Sequence, residues 1–200
     1  MPQLIESFDD APSMPHEELL SSERAFEGQL IKVRVDKVRL PSGHEGVREL
    51  VEHPGSVVII PVTSDGKVLF IRQYRYATGD YLLELPAGLI DEDEDPLTSA
   101  KRELLEETSH EAGSMREICT TYISPGYTEE VTTIFLAENC TPVEYEDDQD
   151  EPIQMLSIPL EEIPEILTAG SETVGDAQTM LGMLWLVRLG MTQGAAVQGA

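Results

Sequence analysis

Three things are scarce in this 200-residue chain: cysteine, basic side chains and long apolar runs. Its two cysteines, Cys119 and Cys140, form no CxxC pairing. That argues against a disulfide framework and against a structural zinc site. Lysine and arginine total 13 against 38 acids, giving a formal charge of −25. A chain of that sign repels polyanions, so non-specific binding of DNA or RNA is not expected. No stretch approaches the roughly 20 apolar residues of a membrane span, so no membrane partner is expected. Residues 1–15 have neither the basic start nor the apolar run of a signal peptide. A reduced cytoplasmic setting is the default expectation. The charge has one more consequence. If the substrate is anionic, a cation must mediate its capture, and a divalent metal is the obvious candidate.

What is present suffices for a core, since 40% of the residues are hydrophobic. The length suits one domain, or one domain plus an arm. Residues 1–27 are expected to form a flexible acidic arm, with Pro2, Pro12 and Pro15 near its start. Segment 28–55 reads as a region of antiparallel strands. Within it, 29–40 is extended, Pro41-Ser42-Gly43 is a turn, and 47–52 is a second strand. The catalytic candidate is 56–191. It opens on the β-branched run 56–62, consistent with a strand buried on both faces. Asp65-Gly66 is a hairpin signal with 68–71 as the returning strand. Residues 81–85 form a short strand closed by Pro86-Ala87-Gly88. Residues 96–107 are helical, with Asp95 as cap and Pro96 at the first position. Further strands are expected over 117–123, 131–137 and 153–158, an acidic loop over 144–151, and helices over 160–168 and 177–189. Residues 192–200 read as a disordered tail. The chain has no internal repeat. Strands interleaved with a few helices indicate an α/β or α+β domain.

The chemistry concentrates on Glu103, Glu106 and Glu107. At helical spacing, 103 and 107 are four apart, and 103 and 106 are three apart, so the three carboxylates share one surface. Such like charges repel unless a cation compensates them, and carboxylate oxygens are preferred ligands of hard ions such as Mg²⁺. Taken alone, a solvated acidic helix face explains the same pattern.

The surroundings decide between these readings. The run GLIDEDEDPLTSAKRELLEETSH, residues 88–110, resembles the Nudix box at Gly88, Glu94, Arg102, Glu103, Leu104, Glu106 and Glu107. It departs at Ser109, where the box has glycine, and at His110, where it has an apolar residue. The glycine is favoured there for its left-handed conformation. The resemblance implies an α/β/α sandwich around a mixed sheet. It also implies that Glu103, Glu107 and the carbonyl of Ala87 hold Mg²⁺, with Mn²⁺ as an alternative. Glu106 is then a third ligand or a catalytic acid beside Glu107. Arg102 orients the glutamates, and Glu94 ties the loop to the helix. Such a site hydrolyses a diphosphate bond with metal-activated water.

The flanks resemble the ADP-ribose pyrophosphatase branch of that family. The residues that carry this are Arg72-Gln73-Tyr74-Arg75, Leu83-Glu84-Leu85-Pro86-Ala87-Gly88, Ser124-Pro125-Gly126-Tyr127-Thr128-Glu129-Glu130, and Gly175-Asp176-Ala177-Gln178-Thr179. Within the resemblance Arg75 clamps a phosphate, with Arg48 or Arg72 contributing. Glu130 contacts substrate, and Phe26 stacks on the adenine. The general base lies in the acidic loop, with Glu151 the first choice and a loop without catalytic role the alternative. A homodimer through exchanged N-terminal strands is the implied assembly, with a small nucleoside diphosphate compound as the partner. The expected reaction is hydrolysis of ADP-ribose to AMP and ribose 5-phosphate. Two alternatives stay open: another nucleoside diphosphate sugar or nucleotide as substrate, or a binding module without turnover.

Overall fold

The computed structural model describes residues 15–145, 153–169 and 175–192. The chain divides into two compact units. One contains the residues up to His53 together with Ser124–Glu129, and the other contains Pro54–Ile123 and the residues from Glu130 onward.

The first unit is a three-stranded antiparallel sheet in the order β1-β2-β3, made of β1 (Glu18–Glu27), β2 (Lys32–Arg39) and β3 (Glu45–Glu52). Gly43 turns the chain between β2 and β3 at φ +86°, a conformation that glycine adopts without strain. Residues 124–129 are stitched to β3. Val51 N–H donates to Tyr127 O at 2.8 Å, and Glu129 N–H donates to Val51 O at 3.1 Å. The Arg34 guanidinium adds ion pairs to Glu129 at 2.6 Å and to Asp36 at 3.1 Å.

Strand β1 corrects the expected arm over 1–27. Residues 18–27 pair with β2 along their length. Almost every side chain of β1 is exposed, so it carries no buried-face alternation. Backbone hydrogen bonding, to which hydropathy is blind, holds it. Residues 1–14 lie outside the described residues.

The second unit is built on β4 (Ser56–Thr63), β5 (Lys67–Arg75), β6 (Asp80–Glu84), β7 (Ala87–Leu89), β8 (His110–Glu111), β9 (Ser114–Tyr122), β10 (Val131–Pro142) and β11 (Gln154–Pro159). The main path runs β11-β5-β4-β10-β8, with β6 on β5, β7 on β4 and β9 on β10. β4 and β10 are parallel, and the other described pairs are antiparallel. The helices are α1 (Pro96–Thr108), α2 (Ile163–Ala169) and α3 (Ala177–Arg188).

Strand alternation sorts β4 and β10 into two cores. Val58, Ile60, Val62, Ile134 and Leu136 pack with Ile163 of α2 and with Met183 and Leu186 of α3. Val57, Ile59, Phe135 and Ala137 pack with Ala100 and Leu104 of α1. The mixed sheet therefore lies between α1 on one face and α2 with α3 on the other, as expected. Each fully buried aliphatic side chain contributes about 1.5–3 kcal/mol. No described helix is long and apolar enough to cross a membrane.

Three short elements differ from expectation. Ala87–Leu89, read as part of a closing turn, is strand β7 and pairs with Ser56–Val58. Three residues are too few to show a period of two. His110–Glu111 forms β8 for the same reason. The helix expected over 160–168 begins as a 3₁₀ turn, Leu160–Glu162, and becomes α-helical at Ile163.

Helix α1 starts as its residues dictate. The Asp95 carboxylate accepts hydrogen bonds from the Leu97 and Thr98 N–H groups, with Pro96 at the first turn. It ends at Ser109, which takes φ 53° and ψ 39° and donates its N–H to Leu105 O at 2.8 Å. A serine thus occupies the left-handed position that glycine favours. Ser109→Gly relieves about 1–2 kcal/mol of backbone strain and adds about 0.4–1 kcal/mol of unfolded-chain entropy. The expected net gain is about 0.5–1 kcal/mol, read as a higher urea midpoint at unchanged slope. A lower midpoint would show that the position carries no strain.

Candidate active site

The acidic face of α1 meets strand β7 at Gly88. A Cβ on Gly88 would lie 2.0 Å from Glu103 Oε1 and 2.1 Å from its Cδ. Only glycine leaves room for this carboxylate, which is why the residue before the helix loop has no side chain. Glu103 is 8% exposed. Burial pushes its carboxyl above the ordinary range, and Arg102 opposes that. One turn on, Glu107 accepts the Ala87 N–H at 3.0 Å. Burial pushes the Glu107 carboxyl up to about 8, with the Glu103 charge adding to the effect. The Ala87 N–H and the Arg75 charge pull the other way.

Arg102 joins the loop to the helix. Its guanidinium donates to Glu94 at 2.9 Å, Glu103 at 2.6 Å and Glu106 at 3.1 Å, and to the Leu89 carbonyl at 3.1 Å. Glu94 also accepts the Ser99 hydroxyl at 2.7 Å. Arg102 is thus ion-paired to Glu103 and Glu106, and Glu94 bonds both Arg102 and Ser99 of the helix.

Among the described residues, no three His, Cys, Asp or Glu side chains converge into a closed metal cage. Glu103 and Glu106 face Arg102, and Glu107 faces Ala87. The donor set nevertheless fits a hard divalent cation. It consists of carboxylate oxygens, and the cradle at Gly88 leaves no room for a carbon. One of these acids, Glu107, is under-compensated, since burial raises its carboxyl to about 8.

Arg75 and Glu84 stand on the same side of the sheet as α1. Arg75 Nε lies 2.9 Å from Glu84 Oε1, and Nη2 lies 2.5 Å from Oε2. Glu84 holds the guanidinium above its ordinary pKa, with the charges of Glu107 and Asp176 adding to it. Arg75 is thus brought to the acid cluster and paired there. Arg72, three residues earlier, faces the other way. It is in register with Leu83, which packs into the α3-side core, and its guanidinium stacks over Tyr81 at 5.0 Å. The Tyr81 ring also meets Tyr74 edge-on at 5.4 Å.

Glu130 lies on the α3 side as well. Its Oε1 is 3.2 Å from Ser56 Oγ and 3.3 Å from Gln178 Nε2. Phe26 and Arg48 belong to the first unit. Phe26 is 57% exposed, and its ring lies against Gly28, where a Cβ would come within 2.8 Å. Arg48 pairs with Glu17 and donates to the Val47 carbonyl at 2.9 Å. Glu151 lies outside the described residues.

Residues 52–176 match the NUDIX domain model. The chain belongs to the Nudix family. Residues 17–51 match a second model, the nucleoside diphosphate sugar hydrolase N-terminal domain. The chain is 35% identical to an ADP-ribose pyrophosphatase of Bacillus subtilis (strain 168), over 85% of this chain and 92% of that one. It is 31% identical to a methanol dehydrogenase activator of Bacillus methanolicus, over the same shares. Among solved structures, an ADP compounds hydrolase superposes with a TM-score of 0.77 at 25% identity, covering 90% of this chain and 100% of that one. Nudix enzymes depend on divalent metals, in keeping with the oxygen-only acid cluster of α1.

Beside the Nudix box, the structure adds residues that spacing alone did not single out. Thr179 is 1% exposed, and its hydroxyl accepts the Leu85 N–H at 2.8 Å. Asp176 caps the same turn by accepting the Thr179 N–H at 2.8 Å. Gly182 lets α3 approach, since a Cβ there would meet Leu85 Cδ1 at 2.3 Å. The run Asp176-Ala177-Gln178-Thr179 was visible only as part of the resemblance. Its link to the strand entering the box was not, because the contact spans 94 residues.

Two outcomes test this site. Millimolar MgCl₂ should raise the melting temperature of the unaltered protein, and Gly88→Ala should fold yet lose that rise, since the new methyl displaces Glu103. A full MgCl₂ response in Gly88→Ala would remove Glu103 from the metal. The second outcome concerns pH, in EDTA. An acid whose folded pKa is raised contributes stability that is present below its unfolded pKa and lost as pH rises through the folded value. Glu107→Gln should therefore match the unaltered protein near pH 4 and exceed it by about 3–5 kcal/mol near pH 8. A constant difference across that range would show that Glu107 titrates normally.

Proposed function

We infer that this Nudix chain hydrolyses ADP-ribose to AMP and ribose 5-phosphate. The observation that carries the reading is the pair of buried carboxylates, Glu103 and Glu107, lodged against Gly88 and Ala87. It gains from the 35% identity to an ADP-ribose pyrophosphatase over most of both chains. Water adds across the phosphoanhydride, one P–O bond breaks, and two phosphate monoesters leave with a released proton.

Glu103, Glu107 and the Ala87 carbonyl are the residues that would hold a divalent cation, Mg²⁺ by preference or Mn²⁺, with Glu106 beside them. Such a cation supplies positive charge to the diphosphate oxygens and acidifies water. The chain's own residues do the rest. Arg102 fixes Glu103 and Glu106 through its fork of donors. Arg75, already poised beside the acids, is the phosphate clamp. It exchanges Glu84 for a phosphate, because a guanidinium fork matches either anion. Arg72, held over Tyr81 on the other side, adds positive charge at a distance. Glu130 binds the substrate's polar groups, Phe26 stacks on the base and Arg48 is a second anion contact. The exposure of the Phe26 ring supports its part. Glu151 is the proposed general base.

We also read the protein as a homodimer through its N-terminal strands. The supporting observation is that Leu19, Phe26 and Val47 of the first unit are each more than half exposed.

The deciding experiment measures AMP and ribose 5-phosphate formed from ADP-ribose with Mg²⁺. The unaltered protein should turn over, and Glu107→Gln should lose about 100-fold or more in kcat. A folded, Mg²⁺-binding protein that leaves ADP-ribose intact would sink the substrate. Near-normal turnover by Glu107→Gln would sink the site.

A further inference from the structure

Four polar side chains at one end of the sheet close into a ring. Ser56 and Thr132 are register partners in the parallel pair of β4 and β10, and both are buried. Their Oγ atoms lie 2.6 Å apart. Ser56 Oγ is 3.2 Å from Glu130 Oε1. Gln178, in the first turn of α3, places Nε2 at 3.3 Å from that carboxylate oxygen and at 3.1 Å from Thr132 Oγ1.

The hydrogens of this ring can be placed by elimination. The Ser56 hydroxyl donates to the Glu130 carboxyl oxygen. Ser56 has one hydrogen, so in the Ser56–Thr132 bond Thr132 is the donor. The Thr132 hydroxyl has then spent its hydrogen and must accept, and the amide of Gln178 is the donor that reaches it. The second amide hydrogen of the same nitrogen goes to Glu130. Every hydrogen is used once. The opposite amide orientation would put a carbonyl against a carboxylate, so the ring also fixes which way Gln178 points.

We propose that Gln178 is a positioning residue for Glu130. Its amide, with Ser56 and Thr132 behind it, locks one carboxylate oxygen so that Glu130 meets a nucleoside diphosphate sugar in a single orientation. This rests on the reading of Glu130 as a substrate-binding acid. The ring spans β4, β10 and α3, so the carboxylate is referenced to three elements of the core rather than to the loop that precedes it. Pre-orientation of this kind saves the side-chain ordering that binding would otherwise cost. It therefore acts on KM and leaves the bond-breaking step alone.

Substitutions at Gln178 separate positioning from packing. Gln178→Glu keeps the size, removes both donors and sets a like charge against Glu130. Gln178→Lys supplies donors and no acceptor. With ADP-ribose, Gln178→Glu should raise KM about tenfold or more with kcat little changed. Gln178→Lys should bring KM back toward the unaltered value. A normal KM in Gln178→Glu would overturn the proposal. Equal impairment of both variants with a shared fall in melting temperature would also overturn it, as the mark of a merely structural role. If the unaltered protein fails to hydrolyse ADP-ribose, the functional reading falls by itself. Calorimetric Kd for ADP-ribose then replaces KM, and an unchanged Kd in Gln178→Glu sinks the positioning role. The ring has its own readout. The side-chain amide protons of Gln178 should shift by NMR in both Ser56→Ala and Thr132→Val, and no shift in either would dissolve it.

Discussion

The guanidinium of Arg102 is the interaction on which the active-site end of the molecule depends. A chain with 38 acids and 13 bases places three glutamates within one turn of a single helix face. Left to themselves they would repel and splay. Arg102 gathers Glu94, Glu103 and Glu106 around one planar cation, with Asp91 at 3.8 Å on its edge. The consequences spread outward. Glu94 folds the loop between β7 and α1 back onto the helix. Glu103 is pressed against Gly88. Glu107, which Arg102 does not reach in the described contacts, keeps only the Ala87 N–H and the more distant Arg75 charge, and its carboxyl rises. The helix thus holds two kinds of acid, neutralised and under-compensated, one turn apart.

The sheet divides the remaining chemistry. On the α1 side stand Arg75, Glu84, Glu103 and Glu107, a cluster of full charges governed by burial and ion pairing. On the α3 side stand Ser56, Thr132, Glu130 and Gln178, joined mainly by neutral donors, and the Arg72–Tyr81–Tyr74 stack. Helix α3 connects the two. Its first turn takes the Leu85 N–H on Thr179, and Gly182 admits Leu85 into the core. Leu85 lies between Glu84 and the box strand, so the seating of α3 sets the approach of Ala87 and Gly88 to α1.

Much of this was legible in the chain. Asp95 and Pro96 announced the start of α1, because a capped helix start is a local object with a local code. The β-branched run beginning at Ser56 announced the central strand for the same reason. The acid triad and its glycine were legible through spacing and motif together. What stayed hidden was non-local or too short. β1 has no buried face to betray it. β7 and β8 span three and two residues. In sequence Arg72 stood as a possible helper to Arg75, but an odd separation in a strand sends the two to opposite faces. The ring around Glu130 draws on residues 56, 130, 132 and 178, and no window of sequence contains them all.

The loop at 124–129 is hydrogen-bonded to β3 and ion-paired to Arg34, so the first unit is not a contiguous piece of chain. The boundary between the two matched family models falls between Val51 and Glu52, inside β3 and directly after the residue that pairs with this loop. A fragment cut at that boundary would strip Tyr127 and Glu129 of their backbone partners one residue before Glu130. The first unit therefore draws on two separate stretches of chain, and recombination that swapped the N-terminal module between relatives would have to carry the distant hexapeptide with it.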